Sequence, residues 1–145
     1  MSIKDQVQSA IKEAMKSRKT VRLECLRLAK AALLVKEKEA PDALTEKAAI
    51  ATLRAEVRKR QQSIEIFRRH GKEDEAKASQ EEIRVLEEFL PQQLSAEQIE
   101  EKVRAYLAEH PDLTHAGKLT GALKKELGDS ADGKLLNEIC RKVLE

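Results

Sequence analysis

Apolar residues recur at steps of three and four through almost the whole chain, and this period confines the fold to helices packed on helices. Ile3, Val7, Ile11 and Met15 follow one another at four-residue steps behind Ser2, a candidate cap, which predicts a helix near 2–16. A second, near 19–39, is expected to bury Val21, Leu23, Leu26, Ala29 and Leu33 and to end before Pro41. The third runs from a Thr45 cap to His70, with Gly71 in the helix-ending position. The fourth covers about 73–90, presents Ile83, Leu86 and Phe89, and is halted by Pro91. Ser95 with Gln98 three residues on makes a capping box. The helix it opens carries Ile99, Val103, Tyr106 and Leu107 and ends before Pro111. The last two helices carry Leu119, Leu123, Leu127 and then Leu135, Leu136, Ile139, Val143. Strand alternation, internal repeats and a heptad run of useful length are absent.

The expected fold class is therefore all-α, a four-helix N-terminal part followed by a compact three-helix C-terminal domain. Pro91-Gln92-Gln93-Leu94 is the best boundary and divides the chain into residues 1–91 and 92–145. Composition agrees: 37% charged and 41% hydrophobic residues with 5 Gly and 3 Pro are the profile of a helical protein. The longest apolar runs, such as Ala31 to Val35, are too short to span a bilayer, and the N-terminal segment lacks the features of a secretory signal. No membrane association and a cytoplasmic location are the expectations. Cys25 and Cys140 sit in separate helices without a CxxC pair, so both read as small hydrophobes.

The net charge is only +2, but its distribution is uneven. Residues 12–38 hold nine Lys/Arg against three Glu, and residues 54–69 six against two. Residues 73–88 reverse this, with seven acidic groups against two basic. A basic face beside an acidic helix is one outcome, and a surface laced with ion pairs the other. On helix 45–70, Ala49, Leu53, Val57, Ile64 and Phe67 share a face at about 100° per residue. Arg60 falls inside that face, and burying it alone is costly. Pairing with a glutamate of helix 73–90 is expected. Arg54, Arg58 and Arg69 project on the other side with Glu65, a stripe suited to solvent or to a phosphate backbone.

Residues 115–145 carry two helix starts opened by Gly-Lys pairs, Gly117-Lys118 and Gly133-Lys134. A helix start exposes unpaired N–H groups and partial positive charge, which favour an anion such as phosphate. Glycine lets a ligand approach the backbone, and lysine adds a mobile charge. The plain alternative is that these are ordinary starts, with Asp132 as an N-cap that occupies the donors an anion would need. Gly121, four residues after Gly117, reads as a helix-packing position. His70, His110 and His115 read as terminal or loop histidines, without the i, i+4 spacing of zinc ligands. No GxSxG, HExxH or GxxxxGK[ST] occurs, so no catalytic residues, metal ligands or cofactors are assigned. The three aromatic residues, Phe67, Phe89 and Tyr106, lie on apolar faces, which removes base stacking as a recognition mode.

Four separated blocks together resemble the GatB/YqeY family. They are Arg22-Leu23 with Leu26-Arg27-Leu28 and Lys30-Ala31-Ala32; Lys59 to Phe67 with Gly71; Phe89 to Ser95; and Gly117-Lys118 with Gly121, followed by Ala131-Asp132-Gly133-Lys134 and Asn137. Leu119-Thr120 and Asp129-Ser130 depart from the family pattern. The resemblance implies a helical bundle followed by a three-helix domain like the GatB tail of the glutamine-dependent amidotransferase. That enzyme converts misacylated Asp-tRNA or Glu-tRNA to the amide forms. In it the tail contacts tRNA, while the catalytic centre lies in a domain absent from this chain.

A tRNA-binding or amidotransferase-like accessory protein without its own catalytic centre is therefore the first expectation. It would contact folded RNA by phosphate and shape. Its contact face comprises Gly117, Lys118, Gly133, Lys134 and Asn137, supported by Lys124 and Lys125 and extended by Arg54 and Arg58. tRNA is the expected partner, with an aminoacyl-tRNA or amidotransferase-related protein beside it. A helical protein-interaction module is the alternative. A component of glutamine-dependent carbon–nitrogen ligase activity is the third.

Overall fold

The computed structural model describes residues 1–40, 42 and 44–145. Among them are seven α-helices and one 3-10 turn, with no strand. The chain divides into two compact units, Met1–Leu90 and Pro91–Glu145.

The first unit holds α1 (Ile3–Lys16), α2 (Thr20–Glu39), α3 (Glu46–Arg69) and α4 (Glu73–Glu87). Ser2 caps α1 by accepting from Asp5 N–H, and Thr45 caps α3 by accepting from Ala48 N–H. Gly71 takes φ +69 just after α3. That left-handed conformation ends the helix and, with a three-residue connection, turns the chain back into α4. Glu73, Asp74 and Glu75 crowd the first turn of α4, where the helix dipole favours them although no side chain caps its start.

Ile3, Val7, Ile11, Leu26, Leu33, Leu53 and Leu86 form the main core of this unit, and Ile64, Ala76 and Ile83 a smaller one between α3 and α4. Arg60 retains only 11% of its side-chain exposure. Its Nε donates to Glu82 at 3.2 Å, and an Nη donates to the Glu56 carbonyl at 3.0 Å. The buried guanidinium is thus matched by a glutamate of α4, as the burial cost demanded.

Two residues expected inside lie outside. Met15 is exposed and Ala14 takes its place in the core. Four-residue steps advance about 40° each, so Met15 has turned about 120° from Ile3 while Ala14 returns beneath it. Val21 is 67% exposed, because the buried strip of α2 runs through Cys25, Leu26, Ala29 and Leu33 and leaves it at the edge. α2 ends at Glu39, and Pro41 lies outside the described residues. α4 stops at Glu87, and the residues to Leu90 form a turn instead of helix.

The second unit holds α5 (Ala96–Glu109), α6 (Ala116–Leu127), the 3-10 turn (Gly128–Ser130) and α7 (Gly133–Leu144). The capping box is made in full: Gln98 N–H donates to Ser95 Oγ at 3.2 Å, and Ser95 N–H to Gln98 Oε1 at 2.9 Å. The core comprises Ile99, Val103, Leu119, Leu123, Ala131, Leu136, Ile139 and Cys140. Leu94 N–H donates to Ser130 O at 2.7 Å, pinning the segment that leads into α5 to the 3-10 turn. The turn had no counterpart in the apolar periodicity, since Gly128-Asp129-Ser130 carries no apolar side chain.

No helix is long and apolar enough to cross a membrane among the described residues.

Candidate nucleic-acid interface

The two Gly-Lys helix starts are built differently. At α6, His115 is the N-cap, and its Nδ1 accepts from Gly117 N–H at 3.1 Å. A backbone N–H only donates, so this nitrogen is unprotonated and the imidazole proton sits on Nε2. A Cβ on residue 117 would come within 3.0 Å of His115 Cε1. With a side chain at residue 117 the ring would have to give by a few tenths of an ångström, so Gly117 lets it lie closely over the helix start. At α7, the Asp132 carboxylate caps instead, accepting from Leu135 N–H at 3.1 Å. A carboxylate there holds a negative charge at the donors an anion would seek. An imidazole does not.

The starts also lie apart. Thr120 Oγ1 donates to Asn137 Oδ1 at 3.2 Å, and Lys124 Nζ donates to Ala131 O at 2.7 Å. Advancing along α6 from Thr120 to Lys124 thus retreats from Asn137 to Ala131, the register of an antiparallel pair. Gly117 and Gly133 sit on opposite sides of the Thr120–Asn137 link, separated by about 10 Å along the helix axes.

Of the expected contact residues, Gly117, Lys118, Lys125 and Lys134 are exposed and Gly133 is half-buried. Lys124 and Asn137 are half-buried and occupied within the unit, the first closing the 3-10 turn and the second joining α7 to α6. On α3, Arg58 is exposed. Arg54 is half-buried, so the basic stripe read on the far side of α3 is exposed at Arg58 and Arg69 only.

Gly121 does not pack against another helix. It is exposed, and a Cβ there would meet nothing within 4 Å. Its consequence is a different one. Lys118, Gly121 and Lys125 follow at steps of three and four, so all lie on one solvent-facing strip of α6 with Gly117 at its head. The glycine leaves the backbone bare between two lysines about 10 Å apart.

Sequence reading missed His115 and Thr120. A histidine two residues before a glycine was a usable signal, because a ring folded over the next turn crowds a Cβ there. Thr120 carried none, as its hydroxyl bridges Ala116 O at 2.7 Å and a residue seventeen positions on. His110 stacks on Tyr106, with centroids 4.2 Å apart, and closes the end of α5.

Burial raises both thiols above their ordinary value: Cys25, despite the Arg60 guanidinium nearby, and Cys140, despite a hydrogen bond with Thr120. Both thiols are buried, and burial disfavours the thiolate form that a nucleophile needs.

Fold and site together define an all-helical protein whose second unit presents a lysine-bearing helix start to solvent. Residues 4–144 match the family model of the Yqey-like proteins, and the chain belongs to that family, the GatB-tail-like helical domain. No curated protein matches the chain.

Proposed function

We propose that this chain is a tRNA-binding accessory protein of the amidotransferase type, with no catalytic centre of its own. It contacts folded RNA through phosphates and shape, and an aminoacyl-tRNA or an amidotransferase-related protein is its partner. Residues 92–145 act in this reading as the domain similar to the GatB tail of the amidotransferase. The observation that carries it is the open strip of α6. Gly117 and Gly121 bare the backbone, Lys118 and Lys125 flank it, and the helix start above them is capped by a neutral group. A phosphate can approach such a surface closely and meet both ammonium charge and the positive end of the helix dipole. Lys134, beside the Asp132 carboxylate, takes the lesser part, and Arg58 adds charge in the first unit.

The test is retention of bulk tRNA by the purified protein as salt is raised. Each phosphate neutralised adds roughly 0.7–0.9 to the log–log salt slope, so a handful of lysine contacts predicts a slope of about −2 to −3. Replacing Lys118 and Lys125 together by alanine should flatten that slope and weaken binding at least tenfold. Lys134→Ala should do much less. Absence of salt-sensitive retention at low ionic strength overturns the reading, and retention untouched by the double replacement moves the interface elsewhere.

A further inference from the structure

The outer face of α2 carries an apolar stripe that the protein's own core does not use. Val21, Leu28 and Val35 are 67%, 55% and 64% exposed and stand seven residues apart. Glu24, Ala31 and Lys38, each three residues further on, are exposed as well. The six alternate at steps of three and four, the a and d positions of a heptad. Such a set drifts only about 20° per heptad, so it remains on one face over five turns. That face lies about 145° around the helix from the centre of the buried strip of Cys25, Leu26, Ala29 and Leu33.

The stripe is complementary to itself. When two copies of α2 lie antiparallel about a two-fold axis between residues 29 and 30, each a position meets a d position of the partner. Leu28 faces Ala31, large against small. Val21 faces the stem of Lys38, and Val35 faces the stem of Glu24. The Glu24 carboxylate of one copy then lies one layer from Lys38 of the other, twice by symmetry. Neither Glu24 nor Lys38 is in an ion pair among the described residues, so both are available. Parallel pairing would instead set Glu24 on Glu24 and Lys38 on Lys38, which repel.

We infer that α2 is the homodimer interface of this protein, pairing antiparallel with α2 of a second copy through Val21, Leu28, Ala31 and Val35, with Glu24–Lys38 ion pairs fixing the register. One helix pair of this length buries a modest area, at the low end of the size range where weak and transient contacts sit. An isologous contact of this kind closes on itself and stops at two copies.

Sedimentation of the full chain over a range of concentration should show a reversible monomer–dimer equilibrium. Leu28→Glu should abolish the dimer, because it places two carboxylates beside the axis. Glu24→Lys and Lys38→Glu should each weaken association at least tenfold, and the doubly swapped chain should regain it. These positions are exposed, and an unchanged helical circular dichroism spectrum confirms that each variant folds. Val21→Cys mixed with Lys38→Cys should give a mixed disulfide, while Val21→Cys alone should give none, as its two copies stand about 26 Å apart. A monomer at all concentrations overturns the inference. So does a Val21→Cys homodimer, which marks parallel pairing, or a dimer indifferent to Leu28→Glu. Loss of tRNA retention in Leu28→Glu with the dimer intact would also overturn it, by assigning the stripe to RNA.

Discussion

A single imidazole decides the character of the α6 start. His115 accepts from Gly117 N–H, and the residue beneath the ring has no Cβ because one would lie 3.0 Å from His115 Cε1. The two positions are therefore coupled. His115→Ala should cost about 1 kcal/mol, the usual worth of an N-cap. Gly117→Ala should destabilise the native protein, yet in the His115→Ala background it should become neutral or gain about 0.5–1 kcal/mol from helix propensity. A double-mutant cycle by urea denaturation reads this directly. The thiols give a pH prediction. Burial raises Cys25 and Cys140 in the folded state, so their neutral forms add stability that is complete at neutral pH and is lost as pH rises past the ordinary thiol value of 9.0. Unfolding midpoints should fall from that pH upward, and the fall should be shallower in a chain with both cysteines replaced by alanine. A pH-independent difference between the two chains would refute this. At this scale the sequence was legible where one residue type has one use, as at the Ser2, Thr45 and Asp132 caps. It was silent where a side chain had two, as at His115.

Elements are held by a few polar links that run from one element to the next. Arg60 joins Glu56 of its own helix to Glu82 of α4, and Lys124 closes the 3-10 turn through Ala131 O. Arg60→Met leaves the Glu82 carboxylate without its cation, while Glu56 keeps Lys59, and should cost roughly 1.5–3 kcal/mol. Converting Glu82 to leucine as well should recover part of the loss, since burying an ion pair rarely outperforms apolar packing. Lys124→Met should lower stability while leaving tRNA retention within a factor of about two, with thermal melts and retention assays measured on the same preparations. Lys118→Ala should show the converse. That Arg60 needed a glutamate from α4 followed from its place on the apolar face. That Lys124 was spent on a turn did not, because the 3-10 segment leaves no apolar trace for periodicity to register.

Across the molecule, charge alone selects no ligand. The chain carries only +2, and its C-terminal part from residue 92 onward holds eight basic against ten acidic groups. The proposed RNA contact therefore depends on local arrangement, on Lys118 and Lys125 over bare backbone, and it should respond to those two residues far more than to removal of a basic pair elsewhere, such as Arg68 and Arg69. The α2 stripe shows the same logic for apolar residues. Leu28 and Val35 were not among the α2 residues expected to be buried, and no heptad run of useful length was visible. The tertiary structure separated the two faces by burying Cys25, Leu26, Ala29 and Leu33, and only then did a seven-residue spacing stand alone in solvent. By itself the sequence determined the helices, most of their ends and the family, because caps, glycines and apolar period act within a few residues of one another. The tertiary structure decided which apolar face was core and which cations were free, because those depend on how one element lies against the next, as Glu82 of α4 does for Arg60 of α3 and Ala131 O beyond the 3-10 turn does for Lys124 of α6.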